Sequence, residues 1–134
     1  MKKSLIVIMG LFSPNLLVAD DVLYCTSELN SGFAYEDNSF REETFENTRF
    51  TVKVSGDFES IRRGDWNYSC RKSHLNTVYF CLDTYDIGVF FKFNKENGRF
   101  LAGNITGFGY LSHSSTKKGT SDTDHIRAGK CEDF

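Results

Sequence analysis

Val89-Phe90-Phe91-Lys92-Phe93-Asn94-Lys95-Glu96-Asn97-Gly98-Arg99-Phe100-Leu101-Ala102 decides the fold. Val89, Phe91 and Phe93 fall on one side of an extended chain, with Phe90, Lys92 and Asn94 on the other. That period of two reads as a half-buried strand. Asn97-Gly98 is a hairpin dipeptide, so Arg99–Ala102 returns antiparallel beside it.

The same alternation recurs on both sides of this hairpin. In Arg49-Phe50-Thr51-Val52-Lys53-Val54, Phe50, Val52 and Val54 share a face. In Thr77-Val78-Tyr79-Phe80-Cys81-Leu82, the apolar face reads as Val78, Phe80 and Leu82. Weaker strands are expected at 22–26, 32–36, 66–70, 108–112 and 124–127. Ser55-Gly56-Asp57, Arg62-Arg63-Gly64-Asp65 and Asp83-Thr84-Tyr85-Asp86 read as turns. Only Phe40–Asn47 has the makings of a helical turn. Strands at a spacing of roughly 10–12 residues predict an all-β antiparallel barrel or sandwich of about seven to nine strands. With 13 Phe, 6 Tyr and 1 Trp, the chain has the aromatic side chains that half-buried pleated surfaces favour.

The overall balance excludes several classes. The 134 residues carry 16 Lys+Arg against 18 Asp+Glu, so there is no basic field to hold nucleic acid. No apolar run approaches the ~20 residues of a membrane-spanning helix. No linker, repeat or low-complexity segment divides the chain.

The N-terminus reads as an export signal. Lys2 and Lys3 precede the apolar run Leu5–Phe12, Ser13-Pro14-Asn15 breaks it, and Leu16-Leu17-Val18-Ala19 leads to Asp20-Asp21. A positive flank, short apolar core and small residue form a cleavable secretory signal. The expected cut follows Ala19, leaving residues 20–134 as a single domain, periplasmic or secreted. Tyr24 before Cys25 is too bulky for a lipoprotein site.

All four cysteines, Cys25, Cys70, Cys81 and Cys131, lie after that cut. An even count in a small exported domain indicates two disulfides. No two cysteines have the C-x2-C spacing of a zinc site or a redox motif, so no metal or cofactor is expected. Three pairings are open to four cysteines. The preferred one joins Cys25 to Cys131 across the chain ends and Cys70 to Cys81 across a hairpin.

Residues that carry chemistry are scattered. His74, His113 and His125 have no motif spacing, and no serine sits in a G-x-S-x-G elbow. Thr120-Ser121-Asp122-Thr123-Asp124 offers oxygen ligands for calcium but lacks a central Gly and a closing Glu, and reads better as a polar turn. Glu42, Glu43, Glu46, Asp57 and Glu59 are carboxylates that a glycosidase would pair; their polar setting reads as a solvated face. Gly107-Phe108-Gly109 has no third spaced Gly and no nucleotide-binding value. Asn67-Tyr68-Ser69 and Asn104-Ile105-Thr106 match the glycosylation sequon, which matters only in a eukaryotic secretory route.

The C-terminal stretch, with Phe93-Asn94-Lys95, Arg99-Phe100, Gly107-Phe108-Gly109-Tyr110, Ser121-Asp122-Thr123 and Gly129-Lys130-Cys131-Glu132-Asp133-Phe134, resembles the ending of a group of small exported marine bacterial proteins. Tyr24-Cys25 matches their start. That group has no assigned activity, so the resemblance implies export and a compact domain and transfers no site residue.

These readings lead to a non-enzymatic binding module. Its partner is a protein, an envelope component or a small apolar ligand; the last requires an unfilled barrel interior. The alternative is a small secreted hydrolase built on His74, His113 or His125 with nearby carboxylates. That reading requires a histidine within hydrogen-bond reach of a nucleophile or a metal.

Overall fold

The computed structural model describes residues 20–36, 39–75, 77–85, 88–105 and 122–133. Among them are nine strands and no helix: β1 (Asp21–Glu36), β2 (Ser39–Thr44), β3 (Arg49–Val54), β4 (Ser60–Arg63), β5 (Trp66–Lys72), β6 (Val78–Asp83), β7 (Val89–Asn94), β8 (Arg99–Asn104) and β9 (Asp122–Asp133). Every pairing is antiparallel. The order β1-β3-β4-β5-β6-β7-β8-β9 closes through β1–β9 into an eight-stranded barrel, and β2 adds to the outer half of β1. Closure removes the unpaired edges that an open sheet presents.

The segments 22–26 and 32–36, expected as two strands, are halves of β1. Its first half pairs with β3 and its second with β2. β9 follows β1 along both halves, from Leu23↔Asp133 to Tyr35↔Asp122, with a register shift between Ser27 and Leu29. The extra residue of such a bulge lets a long strand bend from the barrel wall into the flap made with β2. Phe40–Asn47 is not helical: residues 40–44 belong to β2. Phe45 donates its N–H to the Asn30 carbonyl and Asn30 Nδ2 donates to the Glu46 carbonyl at 2.9 Å. Those bonds hold the crossing from β2 to β3 against β1. The strand expected at 108–112 lies outside the described residues.

One of the turns departs from its sequence reading. Arg62 and Arg63 are strand residues, and Arg63 pairs with Trp66 around a two-residue turn. Gly64, first in that turn, has φ +57°, the left-handed value that hairpin turns of this length favour in glycine. Asn97-Gly98 closes a longer loop after β7. Gly98 sits at φ +69° and donates to the Asn94 carbonyl at 2.9 Å.

The interior is aromatic. Phe91 stacks on Phe100 at 5.5 Å, and Phe50 meets Phe100 edge-on at 5.3 Å. Val52, Val54, Ile61, Tyr68 and Cys81 complete the buried centre. Phe50, Val52 and Val54 face inward as expected, as do Val89, Phe91 and Phe93. Val78 is buried as expected, but from Tyr79 onward the inward face of β6 is the other one. Cys81 is buried opposite inward-facing Phe91, and Asp83 is buried too, whereas Leu82 is exposed and Phe80 packs outside on Phe90 and under Arg71. Residues opposite each other in an antiparallel pair share a face, so a shift of one position exchanges the two sets.

Cys25 is joined to Cys131 and Cys70 to Cys81. Each is a directly opposed pair inside the barrel with Cα atoms 3.9 Å apart. The first seals the strand pairing that closes the ring. Two formed disulfides mark a chain that folds in an oxidising, non-cytoplasmic compartment.

Candidate functional site

The two ends of the barrel differ. At one end, the β3–β4 connection folds Phe58 over the core. Its side chain is buried although its backbone has φ 60°, a conformation bulky residues rarely adopt. The ring lies 4.8 Å from Tyr79 and 6.2 Å from Phe93, with Lys95 Nζ 4.5 Å from its centroid. Asp57 fixes this connection, accepting from the Ser55 hydroxyl at 2.6 Å and the Glu59 N–H at 3.0 Å.

The other end holds a cleft of about 550 Å³ among the described residues. It is bordered by the β4–β5 turn, the start of β3, the end of β8 and the first part of β9. Residues 106–121 lie outside the described residues. The alternation of each strand aims specific groups into the cleft. Arg63 shares its face with Ile61, Trp66 with Tyr68, Asn104 with Phe100 and Ala102. On β9, His125 and Arg127 share theirs with Cys131. Three basic side chains thus stand on the inward face of the barrel wall.

They are held in place. The Arg63 guanidinium lies over the Phe50 ring at 4.3 Å and shares a hydrogen bond with the Tyr68 hydroxyl. Arg127 donates from Nη1 to Thr48 Oγ1 at 3.2 Å and from Nη2 to His125 Nε2. Accepting that bond requires a neutral imidazole with its proton on Nδ1. The electrostatics agree. Burial, then the charges of Arg127 and Arg63, push the His125 pKa below its ordinary value, while Asp124 opposes them weakly. Burial and Arg63 push Arg127 down as well. Burial raises the Tyr68 phenol against the opposing pull of Arg63. Asp83, paired across from Tyr68, spends its carboxylate on backbone: Oδ1 accepts from Tyr85 N–H at 2.9 Å and Oδ2 from Val89 N–H at 3.0 Å.

Among the described residues, those singled out in the sequence do not assemble. His74 is exposed in the β5–β6 connection, at the end opposite His125. His113 lies outside the described residues, as do residues 1–19, Thr120 and Ser121. His125 stands against a guanidinium and, on its flank, the Phe45 ring at 5.6 Å. Glu42 and Glu43 are exposed on the flap, Glu46 just beyond it, and Asp57 and Glu59 at the Phe58 end. The bonds from Ser55 and Glu59 hold the Asp57 carboxyl below the usual range, opposite to what a general acid needs. Asn67 is exposed on β5. Among the described residues no group of three or more His, Cys, Asp or Glu is placed to hold a metal ion.

Arg63 and Arg127 did not stand out in the sequence. In the sequence, Arg63 reads as part of a loop, and the strand expected at 124–127 stops before Cys131. Extending the alternation back two steps at a time from Cys131 reaches 129, 127 and 125, which places two basic residues on the face of a buried cysteine. That pattern was the available signal.

No family model matches the sequence, and comparison with curated proteins and with solved structures returns no match.

Proposed function

We propose that this chain is an exported, non-enzymatic binding module that takes its ligand at the mouth cleft of the barrel. The observation that carries the reading is the inward-facing set of Arg63, Arg127 and His125 around an aromatic-walled cleft. Clefts lined by one sign of charge concentrate field and attract ligands of the other sign. The closely packed Phe50, Phe91 and Phe100 interior favours the cleft over a central apolar pocket as the place of binding. Lys2-Lys3 with the apolar run that follows supports export by a cleaved signal, and the two disulfides fit a periplasmic or secreted destination. The resemblance to exported marine bacterial proteins points the same way.

Trp66 is the only tryptophan and lines the cleft, so its fluorescence reports occupancy. The test titrates the purified protein with the dialysable small-molecule fraction of a bacterial envelope extract. The expected result is a saturable change, lost in a folded Asn104→Phe variant, whose ring projects into the cleft from the face shared with Phe100 and Ala102. No change with wild type, or an unchanged response in Asn104→Phe, contradicts binding at the mouth. Turnover of chromogenic esters or glycosides that disappears in His125→Gln would replace this reading with the hydrolase.

A further inference from the structure

We propose that the mouth cleft recognises an oxyanion carried on a planar apolar group, with Arg63 and Arg127 holding the oxyanion and Trp66 flanking the planar group. The inference rests on the mouth-binding reading above and names the chemistry of its ligand.

Four observations converge on it. First, the cations belong to a built site. Arg63 and Arg127 project from β4 and β9, on separate parts of the wall, and each is fixed by neighbours that are uncharged: Phe50 and Tyr68 for one, Thr48 and neutral His125 for the other. Second, among the described residues the charge is not cancelled locally. Arg63 and Arg127 repel each other across the cleft, and its described lining contains no carboxylate. The nearby acids are otherwise placed: Asp83 caps two backbone N–H groups, Asp124 lies on the opposite face of β9, and Asp65 is exposed in the turn. Half-buried like charges cost stability, and an anion bridging them relieves that cost. Third, guanidinium groups are planar forks whose N–H pairs match the oxygens of carboxylate, sulfate and phosphate. Fourth, Phe50, Trp66, Tyr68 and Val89 line the cleft beside the small or polar Thr51, Gly64, Gly103 and Asn104, and the aromatic part of that lining accepts a flat apolar body.

The other depressions fit this chemistry less well. The one on the flap, lined by Phe33, Ile105 and Ile126, also holds Glu42 and Asp124, which repel anions. The one near His74 is lined by Arg71, Lys72 and Lys92, all exposed, whose charges water already solvates.

The test uses three probes of one shape: phenylacetate, phenyl phosphate and the neutral phenylacetamide, each titrated against Trp66 fluorescence at low salt. Phenylacetate and phenyl phosphate represent the carboxylate and phosphate sources of the same oxyanion. The expected result is saturable binding of at least one anion, weakened at least about tenfold in phenylacetamide and in each of Arg63→Gln and Arg127→Gln. The circular dichroism spectrum and unfolding midpoint of each variant establish that it folds. Lys92→Gln, on the outer face, leaves binding unchanged. Equal binding of phenylacetamide overturns the oxyanion while leaving the mouth as a binding place. Failure of both anions while the envelope fraction still perturbs Trp66 also overturns the oxyanion alone. Failure of probes and envelope fraction together overturns both.

Discussion

Removing the bridge that closes the ring is predicted to cost more than removing the bridge within a hairpin. Cys25–Cys131 spans 106 residues of chain and Cys70–Cys81 spans 11. A cross-link acts mainly on the unfolded chain, by forbidding conformations in which its ends separate. The chain-entropy relation gives about 5 kcal/mol for the long loop and about 3 kcal/mol for the short one. Packing acts in the same direction, because Cys25 and Cys131 are both buried whereas Cys70 is only partly so. The pairs Cys25→Ala/Cys131→Ala and Cys70→Ala/Cys81→Ala therefore differ by about 2 kcal/mol or more. With a urea slope of roughly 1.5 kcal/mol/M, that separates their midpoints by more than about 1 M. Both variants are unfolded in urea and followed by circular dichroism. A domain has only about 5–15 kcal/mol to lose, so the first variant sits near the edge of folding. Equal midpoints at unchanged slope, or a larger loss from the hairpin variant, would refute the reasoning.

Further outcomes follow from burial, backbone and charge. Phe91→Ala, at the centre of the stack, is expected to cost about 3–5 kcal/mol, and Leu82→Ala, which points outward, under about 1 kcal/mol; equal costs in urea unfolding would return the inward face of β6 to Phe80 and Leu82. Gly98→Ala should cost more than about 2 kcal/mol, since its φ is +69° and a Cβ there would meet the Cys131 carbonyl oxygen at 2.4 Å; a neutral result contradicts the loop geometry. His125 binds its proton more weakly folded than unfolded, so the unfolded chain takes up the extra proton first as pH falls below about 6.5. The stability tied to neutral His125 is present above that pH and is lost on acidification towards the folded pKa. Thermal midpoints of wild type should therefore fall more steeply than those of His125→Gln between about pH 7.5 and 5.5, and parallel curves would count against the half-buried, cation-flanked imidazole.

Much of the fold is legible in the sequence because short strands with one wet face write their burial as alternation. β3, β7 and the start of β8 follow directly from residues 49–54 and 89–102. β6 misleads because both of its faces are apolar: Val78, Phe80 and Leu82 compete with Tyr79 and Cys81, and only the opposed Cys70 and Phe91 decide between them. β1 hides its length because Ser27-Glu28-Leu29-Asn30-Ser31 is a mostly polar stretch without alternation, while β9 and the bulge after Ser27 carry the strand through. Closure itself is invisible locally, since it pairs residues about a hundred positions apart. The candidate site shares that fate. Arg63, Arg127, Trp66 and Asn104 come from four strands and have no spacing that unites them. Basic residues are read as solvated by default, and only the ring puts these on an inward face. The histidines draw attention by type alone, and of the two described, His74 and His125, geometry brings His125 into the cleft.

The account depends on β1 and β9 closing the sheet, because closure turns Arg127 and His125 of β9 towards Arg63 of β4. The most direct test is the nuclear Overhauser spectrum of the oxidised protein. Strong contacts between the Hα protons of Cys25 and Cys131, together with cross-strand contacts between Asn30 and Arg127, are the predicted result. A spectrum in which β1 meets β3 but shows no contact with β9 would contradict the barrel, and with it the cleft.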